Sequence, residues 1–263
     1  MARTTALFFD VGGVILTDGW DSAARNSAAR RFGLDWEEFE NAHELAVSDF
    51  EIGRTSLDEY INRTVFHQPR AFTRDEFKSF IWAQSHEHPE ALAIVAELAR
   101  SRKYLLATLN NESRDLNCYR IKRFRLCDYF TVFFSSGFLG VRKPGEKIFQ
   151  LALEITQRIP NECLFVDDRA PNVECALRLG MRGIQYHTAA QLREELQSHG
   201  VYTDMLNILT INSGSSILHF SLYDMVPLEV LRVSGVFVRY CLSRGLFSFL
   251  VSGVHVGIRF ESC

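Results

Sequence analysis

Short apolar runs and amphipathic stretches alternate along the middle of the chain. The apolar runs have the length and the β-branched or aromatic content of buried strands, and they read KYLLATL, FTVFFSS, CLFVD and RGIQY. The stretches between and after them have helical spacing of apolar positions and cover residues 111–124, 144–157, 171–179 and 189–198. Such alternation is typical of an α/β domain, so we predict a parallel sheet with helices on both faces.

The first apolar run, Ala6–Phe9, is separated from the others by a long helical segment. Asp10 follows the run directly, where a strand should end, and Gly12 and Gly13 permit a tight turn after it. Residues 17–88 then carry N-capping residues followed three positions later by Glu, in the pairs Asp35–Glu38, Ser56–Glu59 and Thr73–Glu76. We therefore predict an all-helical module inserted after the first strand, and a return to the core through a helix that begins near residue 89.

The character of the sequence changes near Met205. Every Lys precedes this point, and the remainder is strand-like, punctuated by Ser and Gly, and poor in charge. The strand–helix alternation is already complete at about Gly200. We predict three parts: a core domain of residues 1–16 and 89–200, the helical module of residues 17–88, and a short β-rich C-terminal extension of residues 206–263.

Composition and charge argue against several classes of partner. The chain has 263 residues, of which 47% are hydrophobic and 23% charged, the balance of a globular protein with a substantial core. A net charge of −3 gives no support for nucleic-acid binding, and no apolar run reaches the roughly 18 residues of a membrane-spanning helix. The N-terminus lacks the pattern of a secretory signal and the six cysteines form no C-x-x-C pair, so we predict a cytoplasmic protein. The sequence leaves the oligomeric state open.

Polar side chains collect at the predicted strand ends. They are Asp10 after the first strand, Thr108, Asn110 and Asn111 in ATLNNES, Lys143 in GVRKPG, and Asp167 and Asp168 in FVDD. Taken singly, each has an ordinary structural explanation as a turn, a helix cap or a surface charge. The carboxyl ends of parallel strands meet at one edge of a sheet, so together these residues predict a polar site there.

The chemistry that suits this set of residues is phosphoryl transfer. Asp10 is the candidate nucleophile, which would form an aspartyl-phosphate. Asp10, Asp168 and the backbone carbonyl of Gly12 supply the hard oxygen ligands that Mg²⁺ prefers. Lys143 would offset the charge of the phosphoryl oxygens. The candidate donors to the phosphoryl group are Thr108, Asn110, Asn111, Gly12 and Gly13.

Four motifs occur in an order that resembles the haloacid dehalogenase superfamily of hydrolases. They are FFDVGGV, LNNES, GVRKPGEKIF and FVDDRAPN, and the resemblance extends from about residue 6 to residue 198. It implies a Rossmann-like core with the helical module as a cap, and places the chain in a phosphatase-like branch. It also implies Asp10 as nucleophile, Lys143 as the characteristic lysine, and Asp167 and Asp168 as metal-site acids. The expected activity is Mg²⁺-dependent hydrolysis of a small phosphorylated metabolite.

Two positions depart from that family pattern. Phosphatases of the superfamily commonly carry a second Asp two residues after the nucleophile, as the general acid, and here that position is Gly12. The D-x-G-G arrangement is similar to one found in a phosphatase-like branch, so activity with slow turnover is the expectation. In the second motif Ser or Thr usually precedes Asn; Asn110 occupies that position, and Thr108 is the alternative.

Other functions remain open from the sequence. A 2-haloacid dehalogenase would use Asp10 to attack carbon without a metal, although the adjacent acids Asp167 and Asp168 make most sense beside a cation. Phosphonate hydrolysis would need a lysine in the cap, which contains only Lys78. A catalytically weak protein that binds a phosphorylated ligand is a further alternative, because of Gly12. The cap would select the substrate, with candidate contacts at Trp20, Glu51, Arg54, His86 and His88.

The C-terminal extension resembles another family over a short stretch. ILTINSGSSILHFSLYD is similar to the opening strand and Ser-rich turn of acetate kinase, with matches at Asn212, Gly214, Ser215 and Ser216. Ile217 replaces a Ser of that pattern, and His219 replaces its Lys. About 58 residues are too few for that two-domain kinase, so we predict a fragment without kinase activity.

Overall fold

The computed structural model describes residues 3–203 and, in the extension, residues 206–213, 218–225, 245–251 and 254–260. The chain divides into two compact units, Met1–Asp204 and Met205–Cys263. The first unit carries all the residues of the predicted polar site, and its parallel sheet determines where they lie.

The sheet has five strands: β1 Ala6–Phe9, β2 Leu105–Asn110, β3 Val132–Ser135, β4 Cys163–Asp167 and β5 Arg182–Gln185. Their order is β3-β2-β1-β4-β5, and each neighbouring pair is parallel. Phe9 lies opposite both Thr108 and Val166, so β1, β2 and β4 reach the same level at their carboxyl ends. The polar residues that end or follow these strands are therefore brought to one edge, as the α/β prediction requires.

The cap inserted after β1 consists of four helices: α1 Ser22–Phe32, α2 Trp36–Glu51, α3 Leu57–Thr64 and α4 Arg74–Ala83. Each begins after an N-cap residue whose side chain accepts a backbone N–H bond; the caps are Asp21 and the predicted Asp35, Ser56 and Thr73. Two capping boxes are completed because Glu59 and Glu76 accept from the backbone N–H groups of Ser56 and Thr73. These local signals explain why the helices of the cap begin where the sequence indicates.

The core helices pack on both faces of the sheet. They are α5 Pro89–Ser101, α6 Arg114–Arg123, the short α7 Ser136–Leu139, α8 Glu146–Thr156, α9 Ala170–Arg178 and α10 Ala189–Ser198. Leu7 and Phe9 point to a cluster with α5 and α10, while Ala6 and Phe8 point to a cluster with α8 and α9. None of the helices in the described part of the chain combines the length and hydrophobicity that crossing a membrane requires.

Some element bounds differ from the predicted ones. The helix predicted over 111–124 begins only at Arg114, because Ser113 is its N-cap and β2 continues through Asn110. The helix predicted from residue 144 begins at Glu146, and the short α7 was not evident in the sequence pattern. Three or four residues of helix carry too little periodicity to be recognised. α10 has the predicted bounds, and α5 begins at residue 89 as predicted.

The interior of the cap is aromatic and contains a buried polar chain. Phe39, Tyr60 and Phe77 are among its buried residues. Trp20 donates from Nε1 to the Tyr60 hydroxyl at 2.9 Å, and that hydroxyl lies 2.7 Å from His43 Nδ1. The pKa of His43 is lowered to about 4 by burial and then by the charge of Arg25. The imidazole is therefore neutral inside the cap.

The extension contains two antiparallel strand pairs. β6 Leu206–Ser213 pairs with β7 Leu218–Met225, and β8 Gly245–Val251 pairs with β9 Val254–Phe260. Asn212 lies opposite His219 in the first pair. Three of the matches to the acetate kinase pattern and the replaced Ser, at residues 214–217, lie outside the described residues, so the fragment remains a sequence-based prediction.

Candidate active site

Asp10 lies at the carboxyl end of β1, in the middle of the sheet. Its backbone N–H donates to the Val166 carbonyl at 2.8 Å, which extends the β1–β4 ladder by one residue. Its Oδ1 accepts from the N–H of Val11 at 2.7 Å. The residue is only 8% exposed, so the strand holds a nearly buried carboxylate in a fixed position.

Lys143 places its ammonium between two carboxylates. Nζ lies 3.0 Å from Asp10 Oδ2 and 2.6 Å from Asp167 Oδ2, and it donates to the Leu109 carbonyl at 2.8 Å. Burial by itself would lower the pKa of Lys143, but the charges of Asp10 and Asp167 outweigh it and raise the pKa. The lysine is thus a buried cation, rather than the solvated surface charge that is usual for this residue type.

Two further side chains hold Lys143 in place. The Asn111 amide bonds the backbone of Lys143 twice, from Nδ2 to its carbonyl and from its N–H to Oδ1, both at 2.8 Å. Asp167 accepts from Lys143 on Oδ2 and from the Arg169 N–H and Asn172 Nδ2 on Oδ1, each of these two at 2.9 Å. Both polar atoms of the Asn111 amide thus bond the backbone of Lys143 and fix its position, and one N–H of Nδ2 takes no part in these two bonds.

Asp168 completes a cluster of acids. Oxygens of Asp10, Asp167 and Asp168 lie within 4.8 Å of one another, the one such group of metal-ligating side chains among the described residues. Burial, followed by the charges of Asp167 and Asp18, raises the pKa of Asp168. Gly13 has φ +71°, and a Cβ built on it would stand 2.6 Å from Asp168 Oδ2. Gly13, predicted to permit a tight turn, thus lies directly against the Asp168 carboxylate.

The two candidate donors on β2 are both buried. Thr108 is fully buried, and its hydroxyl has no hydrogen-bond partner among the described residues. Asn110 donates from Nδ2 to Asn117 Oδ1 at 3.2 Å, while its own Oδ1 has no partner in the described part of the chain. Both side chains therefore keep unused hydrogen-bonding capacity near the carboxyl end of β2.

The structure adds three residues that the sequence did not single out. Arg120 and Glu112 form a buried ion pair behind the turn after Asp10, with 2.9 Å between NH1 and Oε2. Asp18 places Oδ1 3.1 Å from the position that a Cβ on Gly12 would occupy. An ion pair between a loop residue and a helix residue has no recognisable sequence pattern. The spacing from Gly12 to Asp18 matches no regular secondary structure.

The cap-loop candidates are engaged with other parts of the protein. Trp20 bonds Tyr60, Glu51 accepts from Arg142 at 2.5 Å, and Arg54 lies 3.3 Å from Asp49. His86 and His88 take part through their backbone N–H groups, which donate to Thr17 and Ile15. The Glu51 pair joins the end of α2 to the segment that precedes Lys143, so the cap contacts the core beside the acid cluster.

Known sequences are similar to this chain over most of its first unit. The family described as haloacid dehalogenase-like hydrolase matches residues 4–180. A D-ribitol-5-phosphate phosphatase from Bacteroides thetaiotaomicron is 28% identical over 72% of this chain and 95% of its own length. Flavin mononucleotide hydrolase 1 from Arabidopsis thaliana is 25% identical over 74% of this chain and 77% of its own length.

Solved structures agree on the fold. A haloacid dehalogenase family enzyme from Bacteroides thetaiotaomicron, in complex with magnesium and inorganic phosphate, superposes with a TM-score of 0.60 at 19% identity, over 70% of this chain and 94% of that one. An L-2-haloacid dehalogenase from Xanthobacter autotrophicus gives 0.51 at 20% identity, over 74% and 83%. With the family match over residues 4–180, the motifs and the parallel sheet, this chain belongs to the haloacid dehalogenase-like hydrolases.

Proposed function

We propose that the chain is an Mg²⁺-dependent phosphatase that hydrolyses a small phosphorylated metabolite through an aspartyl-phosphate at Asp10. The observation that carries the proposal is the ammonium of Lys143, which bonds Asp10 and Asp167 while Asp168 completes a cluster of three acids. One buried cation among three carboxylates leaves negative charge that a divalent cation would balance. The names of two relatives, a phosphatase and a flavin mononucleotide hydrolase, support the same class of substrate.

The donor set fits Mg²⁺, which prefers oxygen ligands. Asp10, Asp168 and the Gly12 carbonyl would hold the ion, because both oxygens of Asp167 already accept hydrogen bonds from the protein. Burial raises the pKa of Asp10 to about 8, against the opposing charge of Lys143, and a cation beside it favours the ionised form that a nucleophile needs. When bound, Mg²⁺ would neutralise charge on the phosphoryl oxygens.

The side chains support displacement at phosphorus in two steps. The Asp10 carboxylate attacks phosphorus, and the bond from phosphorus to the leaving-group oxygen breaks, so the phosphoryl group passes to Asp10. Lys143 stabilises the negative phosphoryl oxygens, and Asn110 or Thr108 is the side-chain donor on the β2 side. Water then attacks the phosphorus of the aspartyl-phosphate, which releases inorganic phosphate and restores Asp10.

The leaving group needs a proton that residue 12, a glycine, is unable to supply. The side chain nearest to the missing Cβ of Gly12 is Asp18, with Oδ1 3.1 Å away. Asp167 and Glu112 bond protein cations, and Asp10 and Asp168 are assigned to phosphorus and metal, whereas no donor among the described residues bonds the Asp18 carboxylate. We assign this proton transfer to Asp18. In the first step it would give its proton to the leaving-group oxygen, and in the second it would take a proton from the attacking water.

Dehalogenation is the second candidate, because the fold is shared with an L-2-haloacid dehalogenase. The acid cluster favours the phosphatase, since attack of a carboxylate on carbon needs no metal. Phosphonate hydrolysis through a cap lysine is disfavoured, because Lys78 pairs with Asp58 at 2.5 Å.

A substrate screen tests the proposal. The full chain is incubated with phosphorylated sugars, polyols and nucleotides in Mg²⁺ or in chelator, and phosphate release is measured beside an Asp10→Asn variant. We expect release that requires Mg²⁺ and Asp10. Metal-independent chloride release from a 2-haloacid, without phosphate release from any compound, would establish the dehalogenase instead.

A further inference from the structure

The two linkers between core and cap run side by side as one short ribbon. The first linker, residues 16–21, leads from the turn after Asp10 into α1, and the second, residues 84–88, leads from α4 into α5. The Thr17 N–H donates to the His86 carbonyl at 2.9 Å, and the Thr17 hydroxyl donates to the Gln84 carbonyl at 2.8 Å. Leu16 and Glu87 form an antiparallel bridge. The cap is therefore joined to the core through a single two-stranded hinge.

One buried guanidinium bonds both strands of this hinge. Arg120, on α6 of the core, is 1% exposed. Its NH2 donates to the Thr17 carbonyl at 2.7 Å, on the first linker, and its Nε donates to the Ser85 hydroxyl at 3.1 Å, on the second. The planar fork of arginine can reach separate acceptors at once, whereas a lysine ammonium is a compact point charge.

The third hydrogen bond of Arg120 joins it to the loop after β2, next to the candidate catalytic residues at the end of that strand. NH1 donates to Glu112 Oε2 at 2.9 Å, and Glu112 directly follows Asn111, which brackets the Lys143 backbone. The Glu112 N–H donates to the Ser136 hydroxyl at 2.9 Å, and that hydroxyl donates to the Glu51 carbonyl at the end of α2. The same loop is thus linked to the hinge through Arg120 and to the end of α2 through Ser136.

The backbone of the first linker leaves room for this arginine. A Cβ on Gly19, which has φ +80°, would stand 1.9 Å from Arg120 NH2, a distance that no side chain tolerates. A Cβ on Gly12 would stand 3.7 Å from NH1, so the guanidinium also lies against the turn that follows Asp10. Arg120 is therefore situated between the hinge and the nucleophile turn, and burying it is favourable only because all its contacts are made.

We propose that Arg120 is a positioning residue that fixes the cap relative to Asp10 and thereby controls binding of the part of the substrate beyond the phosphoryl group. This inference rests on the proposed phosphatase function. The core residues Asp10, Lys143 and Asp168 hold the phosphoryl group, while the cap covers the remainder of the substrate. Loosening the hinge should weaken binding of the remainder of the substrate but not binding of the phosphoryl group, because none of these three core side chains bonds Arg120.

The test compares Arg120→Lys with Arg193→Lys in the full chain. Arg193 also bonds a glutamate, Glu97, through two nitrogens, but on α10 and away from the hinge. With p-nitrophenyl phosphate and Mg²⁺, we expect kcat/KM to fall about tenfold in Arg120→Lys, whereas the inhibition constant of inorganic phosphate stays within about twofold. Amide exchange should accelerate in both linkers, residues 16–21 and 84–88, in Arg120→Lys but not in Arg193→Lys. Ser85→Ala, which removes one hinge contact, should show the same pattern more weakly.

Two results would overturn the positioning role. One is a loss in kcat/KM for p-nitrophenyl phosphate that is matched by an equal loss in affinity for inorganic phosphate. The other is an unchanged rate of amide exchange in both linkers of a folded Arg120→Lys protein. If neither wild-type nor variant chain hydrolyses phosphates, the phosphatase proposal fails, and the exchange measurement still decides whether Arg120 fixes the hinge. If Arg120→Lys does not fold, Ser85→Ala decides both readouts.

Discussion

At the scale of the residue, the site depends on side chains held by several bonds at once. Lys143 touches two carboxylates and a carbonyl, and Asn111 holds its backbone from both sides. Gly13 and Gly12 leave space into which Asp168 and Asp18 extend. Because each of these contacts is specific to one atom, single substitutions separate their roles.

Asp18→Asn tests the assignment of the leaving-group proton. An alkoxide needs protonation and nitrophenolate does not, so kcat/KM, which reports transfer of the phosphoryl group to Asp10, should fall about 10²-fold for an alkyl phosphate and stay within about twofold for p-nitrophenyl phosphate. Asp21→Asn is the matched control in the same linker, because Asn also caps α1. Equal losses on both substrates, or none on either, would remove Asp18 from the proton transfer.

Gly13→Ala tests the close approach of the turn to Asp168. Gly33→Ala is the control, since both glycines have positive φ but a Cβ on Gly33 meets nothing within 4 Å. Both variants should lose about 1 kcal/mol of stability from backbone strain. Only Gly13→Ala should also weaken Mg²⁺-dependent activity, by at least about tenfold, since a shift of Asp168 disturbs a geometry-sensitive site. Similar activity in the two variants would show that Asp168 has freedom to move.

At the scale of the element, local signals were predictable and tertiary ones were not. The caps at Asp35, Ser56 and Thr73 could be identified because the bonds they make lie within four residues. The polar residues at the ends of β1, β2 and β4 could be identified because parallel strands share an edge. The Arg120–Glu112 pair and the acceptors of Arg120 on two linkers depend on how α6 packs, which no local pattern encodes.

The pH dependence of stability tests the burial of Glu112 behind that hinge. Burial raises its pKa from 4.5 to about 7, with Arg120 opposing the rise and Glu51 and Asp18 adding to it. The folded state therefore favours the protonated carboxyl; this stabilisation is complete below pH 4.5 and is lost as the pH rises through about 7. The contribution of Glu112 to the free energy of unfolding should fall by about 3 kcal/mol as the pH rises from 4.5 through about 7.

Denaturant unfolding across this pH range checks the expectation. Glu112→Gln removes the titrating group, so its free energy of unfolding should vary less with pH than that of the wild type. Glu146→Gln, at an exposed position on α8, should retain the wild-type dependence. Parallel pH curves for the wild type and Glu112→Gln would contradict a raised pKa at Glu112.

At the scale of the whole molecule, the catalytic unit and the extension are distinct. The sheet, the cap and every candidate site residue lie within Met1–Asp204, and the extension is a unit of its own from Met205. The change of composition near Met205 allowed that boundary to be proposed from the sequence. The strand pairs of the extension form no part of the five-stranded sheet.

A chain that ends at Asp204 tests whether the extension contributes to catalysis. We expect it to fold with an unchanged unfolding midpoint, to retain Mg²⁺-dependent hydrolysis per molecule, and to be more soluble, because strand-rich apolar segments promote association. The full chain should not phosphorylate acetate with ATP. Unfolding or inactivity of the shortened chain would make the extension an integral part of the hydrolase.

Passage of the phosphoryl group through Asp10 can be detected by acid quenching during turnover. The wild-type chain is mixed with Mg²⁺ and the best substrate of the screen, quenched in acid at early times, digested, and analysed by mass spectrometry. We expect a phosphoryl group on Asp10 that rises and decays with turnover and is absent in Asp10→Asn. Phosphate release at the same rate with no phosphoryl group on Asp10 at any time, or with the label on another residue, would contradict it.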